Sequence, residues 1–307
     1  MDKKYLIGID GGGTKTKCVV TDLDFNKLFE CQGGPSNFLL IGTEKVSQTI
    51  FSLIEESVNA LKISFDQIAS IFIGTTGAGR VDDALKLKND FLSFAKSKGY
   101  EFNFNVDSDA RIALEGAFSG KPGSLLIAGT GSIMFGKDRN GNVYRVGGFG
   151  KLFGDEGSGV SIGKKGLKAV SKFFDGRAEK TILVDFLRND FSINDSTQLI
   201  NAVYKNNFDF ASFAPKVIEA ANLGDEAALK ICDEETDELI LHVKAMYSFI
   251  KEPTMNLCLI GGLIANENFY SNLFRKKLND KLPFVKLVQP EYPPEMGAIF
   301  LAKEKLK

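Results

Sequence analysis

Short apolar runs alternate with stretches of helical period along the first third of the chain. YLIGI (5–9) and KCVVTD (17–22) are brief and rich in β-branched and aliphatic residues, so they predict two strands, joined by the glycine-rich segment between them. KLFECQGG (27–34) predicts a third. In GTEKVSQTIFSLIEESVNALK (42–62) apolar positions recur every three or four residues, which predicts a helix with Thr43 as its cap. ASIFIG (69–74) predicts a strand ended by TTGAG, and DALKLKNDFLSFAKSKG (83–99) a helix stopped at Gly99. FNFNVD (102–107) then predicts a strand and DARIALEGAF (109–118) a helix.

The plan recurs from residue 124. SLLIAGTGSIMFGKDRNGN repeats the order of YLIGIDGGGTKTKCVVTDLDFNK: apolar strand, Gly/Thr turn, second strand, polar turn. An internal duplication is the expectation. The glycine-rich GGFGKLFGDEGSGVSIGKKGL (147–167) follows, and residues 160–250 are mostly helical in pattern. NLCLIGGLIAN (256–266) is one more strand-to-glycine unit, FVKLVQP (284–290) a late strand and PPEMGAIFLAKEKL (293–306) a closing helix.

Composition narrows the function classes. A chain of 307 residues exceeds one small core and predicts two domains. With a net charge of −1, no basic field points to nucleic acid or to an anionic membrane. No apolar run reaches the roughly 20 residues of a membrane span, and the charged start before YLIGI does not read as a signal peptide. The four cysteines, Cys18, Cys31, Cys232 and Cys258, form no CxxC pair, which favours a reducing cytoplasmic setting. The Phe-rich stretches lack interleaved Lys or Arg and read as core aromatics, and His242 reads as a packed or surface helix residue.

Glycine carries the chemistry. Gly11-Gly12-Gly13-Thr14, Gly129-Thr130-Gly131-Ser132 and Gly261-Gly262 each end an apolar strand. A polyphosphate needs several donors at close range with no side chains in the way, and successive backbone N–H groups in such turns supply them. The hydroxyls of Thr14, Thr130 and Ser132 can add donors, and Lys15 can reach a phosphate. Asp10, ending a buried strand, is placed to hold Mg²⁺ directly or through water. GxxxxGK[ST] is absent, and the first turn opens a strand rather than a helix, so neither a Walker loop nor a dinucleotide fingerprint is present. Tight hairpins are the alternative reading of each turn alone.

These motifs resemble those of the actin, sugar-kinase and heat-shock ATPase superfamily. IGIDGGGTKT is similar to its first phosphate motif, LIAGTGSIMFGK to its second, and LCLIGGLIAN to its adenosine motif. Within it, the chain resembles the N-acetylglucosamine kinase group of the BadF/BadG/BcrA/BcrD ATPase family. The carriers are GPSNFLLIGTEKV, VDSDARIAL, GGFGKLFGDEGSG and EMGAIFLA, in family order from residue 6 to 302. The resemblance implies an α/β, two-lobed actin-like fold of duplicated ribonuclease H-like βββαβαβα domains with the active site between lobes. The final helix crosses back in that family, so the lobes are expected at 1–118 plus 293–307 and at 119–292.

The resemblance also implies roles. Asp109 is the general base that takes the proton of a sugar hydroxyl, with Asp107 as its rival; helix capping is the alternative reading of both. Asn37 matches a sugar-binding asparagine, whose amide offers a donor and an acceptor to neighbouring hydroxyls. Asp155 and Glu156 match a segment contacting sugar hydroxyls, although acidic residues also favour a helix start. Gly148 and Phe149 match a Gly-aromatic pair; animal members carry Trp where Phe149 stands, so an indole N–H donor is missing here. GTTGAGR (74–80) resembles a third cleft loop. The implied activity is transfer of the ATP γ-phosphate to the 6-hydroxyl of N-acetylglucosamine, with N-acetylmuramic acid and glucosamine as rival acceptors. A dehydratase-activating ATPase is the other enzymatic reading, but cysteines placed for its [4Fe–4S] cluster are lacking. A non-catalytic sugar sensor would need neither Asp10 nor Asp109. The implied partners are ATP, Mg²⁺ and a small amino sugar; relatives often form a homodimer.

Overall fold

A computed structural model describes residues 4–306. The chain divides into two compact units, Met1–Pro122 with Gln289–Lys307, and Gly123–Val288. The first contains strands β1 (Tyr5–Gly11), β2 (Thr16–Asp22), β3 (Lys27–Gly33), β4 (Ile68–Thr75) and β5 (Phe104–Ser108). Its helices are α1 (Phe38–Ile41), α2 (Thr43–Leu61), α3 (Val81–Ser97), α4 (Asp109–Phe118) and, from the end of the chain, α11 (Pro294–Glu304). The sheet order is β3-β2-β1-β4-β5, with the hairpin strands antiparallel and β4 and β5 parallel to β1.

Hydrophobic pattern sets the strand positions. Every residue of β4, IASIFIGT, is buried, as a central strand covered on both faces requires. The polar β3, mostly exposed, takes the edge. On one face Ile7, Ile9, Ile71 and Ile73 pack with Ile50 and Ile54 of α2 and Phe91 of α3; burying a side chain such as Phe91 contributes about 1.5–3 kcal/mol. On the other face α11 lies against α4 and the sheet, with Leu6, Phe72, Ile112 and Ile299 as the core. That packing is close enough to exclude side chains: a Cβ on Gly297 would sit 1.9 Å from the Ile112 carbonyl oxygen, and one on Gly8 2.3 Å from that of Glu295.

The second unit repeats the scheme. Its strands are β6 (Gly123–Ala128), β7 (Ser132–Lys137), β8 (Val143–Gly147), β9 (Met255–Ile260) and β10 (Val285–Leu287), in the order β10-β9-β6-β7-β8. Read from β8, this is the first sheet's order, so the duplication expected from sequence is present in topology. Between β8 and β9 run α5 (Gly159–Phe174), α6 (Ile182–Phe191), α7 (Ser196–Tyr204), α8 (Phe210–Asn222) and α9 (Glu226–Ile250); α10 (Phe269–Lys281) joins β9 to β10.

Several details differ from the sequence expectation. Thr43 does not cap α2; Gly42 occupies that position, and the Thr43 hydroxyl donates to Asp90 of α3 instead. The strand expected from Phe102 begins at Phe104, because Phe102 joins Phe65, Phe91 and Tyr100 in an aromatic cluster. The cysteines are all buried free thiols, yet Cys18 and Cys31 stand opposite each other across β2 and β3. His242 is buried, with Nε2 where a Cβ on Gly147 would fall. Among the described residues no helix is long and apolar enough to cross a membrane.

Candidate active site

In the first unit the predicted residues gather at the carboxyl end of β1. The β1–β2 turn is fastened by neighbours: the Ser36 amide donates to the Gly12 carbonyl (3.0 Å), the Thr76 amide to the Gly11 carbonyl (3.0 Å), and the Thr75 hydroxyl to the carbonyls of Gly11 (3.1 Å) and Ser36 (2.9 Å). A Cβ on Gly11 would fall 2.3 Å from Ser36 Oγ, so packing alone demands glycine there. Gly13 is different: it is exposed and a Cβ would meet nothing within 4 Å. Its neighbours Thr14 and Lys15 are exposed as well. Glycine at 13 keeps the backbone bare toward solvent, as close approach of a ligand requires.

Charge is crowded at Asp10. Burial, then the negative charges of Glu295 and Asp109, push its carboxyl from 3.8 up to about 6, against the pull of Lys17 and Lys15. Lys17 pairs with Glu295 at 3.7 Å, while Glu295 Oε2 is buried with no partner. A partly buried carboxylate short of positive charge fits a divalent cation. Among the described residues no group of three or more His, Cys, Asp or Glu forms a metal cage; Mg²⁺ does not need one, since it keeps waters and is commonly held by one or two carboxylates plus substrate phosphates. Asp109 is the first residue of α4, and Ser108, not either aspartate, caps that helix by accepting from the Arg111 amide. The Asp109 carboxylate is fixed by the Thr76 hydroxyl at Oδ2 and the Ala110 amide at Oδ1, both 2.8 Å. Asp107 accepts from the Ser108 amide at 2.6 Å. Asn37 stands next to Ser36 of the turn, and its Oδ1 is buried without a partner, 3.3 Å from the position of a Cβ on Gly77.

In the second unit the β6–β7 turn is tied to the start of α5. The Gly159 and Val160 amides donate to the carbonyls of Gly129 (2.8 Å) and Thr130 (3.1 Å), and the Ser132 hydroxyl donates to the Glu156 carbonyl (2.6 Å). The Ser132 proton is thus engaged within the protein, while Thr130 is exposed. Asp155 holds a left-handed backbone (φ 60°), unusual for a non-glycine residue and a form of strain that clusters at functional sites. Its carboxylate abuts Gly131 and accepts from the Gly150 amide at 3.3 Å. Phe149 is 64% exposed, stacks on Phe153 and lies beneath the Arg145 guanidinium; Gly148 packs on Ile133.

A cavity of about 580 Å³ brings Gly129 and Thr130 together with Gly262. Its size suits a nucleoside or similar ligand. Gly261 makes the turn at its edge: with φ 101° it passes so near Ala128 that a Cβ would lie 2.3 Å from that carbonyl. The opposite wall is α8, apolar through Ala211, Ala214, Pro215 and Ile218 and polar at Glu219 and Asn222, and Asn268 and Phe269 also line the cavity. The sequence expectation had no part for α8; small residues and a mid-helix proline were the only signal. Thr76 and Glu295 were likewise missed as neighbours of Asp109 and Asp10, although both lie in segments noticed for other reasons.

Two five-stranded units of one order, with glycine turns ending their central strands, define the two-lobed α/β architecture of actin-like ATPases and sugar kinases. A provisionally named N-acetylglucosamine kinase from Chromobacterium violaceum shares this fold, with a TM-score of 0.69, 24% identity, and coverage of 97% of this chain and 99% of that one. The chain belongs to the BadF/BadG/BcrA/BcrD ATPase family, which it matches over residues 7–302. It is 37% identical to the N-acetylmuramic acid/N-acetylglucosamine kinase of Clostridium acetobutylicum, over 98% of this chain and 99% of that protein. It is 32% identical to the N-acetyl-D-glucosamine kinase of Dictyostelium discoideum, over the whole of both.

Two predictions follow from these contacts. The raised Asp10 carboxyl means that ionising it, as pH rises through about 6, disfavours the folded state. In metal-free protein Asp10→Asn should therefore be more stable than the parent at pH 7.5, by roughly 2–3 kcal/mol, and no more stable at pH 3.5; Mg²⁺ with nucleotide should raise the parent's Tm by more than the variant's. A stability difference independent of pH would refute this. Gly13→Ala should leave Tm within a degree or so while weakening ATP binding, whereas Gly11→Ala should lower Tm outright; thermal melts and calorimetric titration separate the two.

Proposed function

We propose that the protein is an ATP-dependent amino-sugar kinase that transfers the γ-phosphate to the 6-hydroxyl of N-acetylglucosamine and of N-acetylmuramic acid. The observation that carries this reading is Asp109: its carboxylate is held by Thr76 and Ala110 and acts electrostatically on Asp10 beside the glycine turn. Each Asp109 oxygen makes one protein hydrogen bond and keeps room for another. Asp109 accepts the hydroxyl proton as the sugar oxygen forms its bond to the γ-phosphorus and the bond to the bridging β–γ oxygen breaks, leaving ADP. Mg²⁺, held by Asp10 directly or through water, neutralises charge on the phosphates when bound. Gly11, Gly12, Gly13, Thr14 and Lys15 line the phosphate side in the first unit. Gly129, Thr130 and Gly131 do so in the second, where Gly261, Gly262 and the α8 wall receive the nucleoside.

Asn37, Asp155 and Glu156 bind the acceptor's hydroxyls. The unpartnered Asn37 Oδ1 awaits a donor such as a sugar hydroxyl. The strained Asp155 keeps a carboxylate at the second turn. Full-length similarity to two amino-sugar kinases supports the acceptor class. The activator-ATPase reading loses ground because all four cysteines are buried. Free thiols suit a reducing cytoplasm, where recycled cell-wall sugars would be the supply.

The test is ADP release with MgATP against N-acetylglucosamine, N-acetylmuramic acid, glucosamine and glucose. One or both N-acetylated sugars should stimulate release far above background; a preference for glucosamine would shift the substrate, and no stimulation would end the kinase reading. Asp109→Asn should keep ATP binding and lose turnover by about three or more decades. Full activity in that variant would place the base elsewhere, with Asp107 next.

A further inference from the structure

The loop 154–158, which carries Asp155 and Glu156, is held from two sides. On one side are the contacts to the β6–β7 turn described above. On the other, Gly157 is gripped by side chains from two distant helices. Its amide donates to Glu235 Oε2 of α9 at 2.6 Å, and its carbonyl accepts from the Tyr270 hydroxyl of α10 at 2.9 Å. Glu235 and Tyr270 are 1% and 0% exposed. Glu235 is further paired with Lys165 of α5 at 2.8 Å, so its buried charge is compensated. Burial, and then the Glu235 charge, push the Tyr270 hydroxyl well above its ordinary range, which keeps its proton available for donation. Gly157 itself has φ 78° and rests where a Cβ would fall 2.4 Å from the Leu239 side chain.

A solvent-facing loop could satisfy one amide and one carbonyl with water. Here two buried polar side chains take both, in a pocket where an unmade hydrogen bond carries the full desolvation penalty. The arrangement leaves the peptide at 157 one position. Asp155 and Glu156 precede it immediately, so their carboxylates inherit that position relative to Gly131. Tyr270 also follows directly on Asn268 and Phe269, which line the nucleoside cavity.

We propose that Glu235 and Tyr270 are positioning residues that set the acceptor-binding loop, acting through the two polar groups of Gly157 and not through contact with either substrate. The inference rests on the kinase reading for its kinetic readout, and on the loop geometry for a second readout that needs no substrate. Three variants test it. Tyr270→Phe keeps the ring and removes the donor to the Gly157 carbonyl. Glu235→Ala leaves the Gly157 amide without an acceptor, and Glu235→Gln restores one. Measured with the best amino sugar, Tyr270→Phe and Glu235→Ala should raise the acceptor KM about five- to tenfold, with the ATP KM within about twofold and Glu235→Gln between parent and Ala. In ligand-free protein, hydrogen exchange of the peptide spanning 154–161 should speed up in the same order while the strands of the second sheet keep their protection. An unchanged acceptor KM and unchanged local exchange in an active Tyr270→Phe protein overturns the proposal, whether or not Glu235→Ala folds. If the parent phosphorylates no amino sugar but local exchange still responds in the variants, the kinase reading fails and the clamp stands.

Discussion

Packing at the strand ends so close that certain glycines have no room for a side chain is the constraint on which the rest of this structure depends. At Gly11 the first strand runs against Ser36 and Thr75 with no room for a Cβ. At Gly261 the β9 turn runs against backbone, the carbonyl of Ala128, and again leaves no room for a Cβ. These approaches let one hydroxyl, Thr75 Oγ1, reach two carbonyls of different loops. They also let the Gly129–Thr130 turn share hydrogen bonds with the first turn of α5. A bulkier residue at such a point would move a whole turn, and with it every group the turn presents. The glycines therefore divide into two kinds: those the packing demands, such as Gly11, and those, such as Gly13, where a Cβ would meet nothing and the packing makes no demand.

The two units use different physics at equivalent places. In the first, the end of β1 is an electrostatic site: Asp10 is perturbed first by burial and then by the fields of Glu295 and Asp109, against the weaker pull of Lys17 and Lys15. Such a site is poised to take a cation, and charge neutralisation is most of what phosphoryl transfer asks of a protein. In the second, the corresponding turn is held by neutral hydrogen bonds and borders a cavity with a largely apolar helical wall. One unit thus manages charge and the other shape and position, from one strand order used twice.

Much of this was legible in the sequence, for a local reason. Strand and helix periods are written in residues close together, and a glycine turn is recognisable from four positions, so the strands, the three glycine turns and the repeated plan could be read directly. The weaker signals were those of edges. The half-exposed VYRVG of β8 has no clear alternation, and Thr43 looked like a cap because nothing local reveals Asp90 as its partner.

What the sequence by itself determined is therefore most of the strands and the helices of the first unit, the duplication, and the family motifs with the residues they carry. The tertiary structure alone decided which of those residues meet. Thr76 reaches Asp109 from 33 positions away, and Glu235 and Tyr270 reach Gly157 from 78 and 113. It also made α8 a wall of the cavity and set Cys18 opposite Cys31. The physical reason is that a hydrogen bond or a charge acts over a few ångströms of space whatever the separation along the chain. Local pattern specifies each element; only the packing of elements against one another brings a donor to its acceptor.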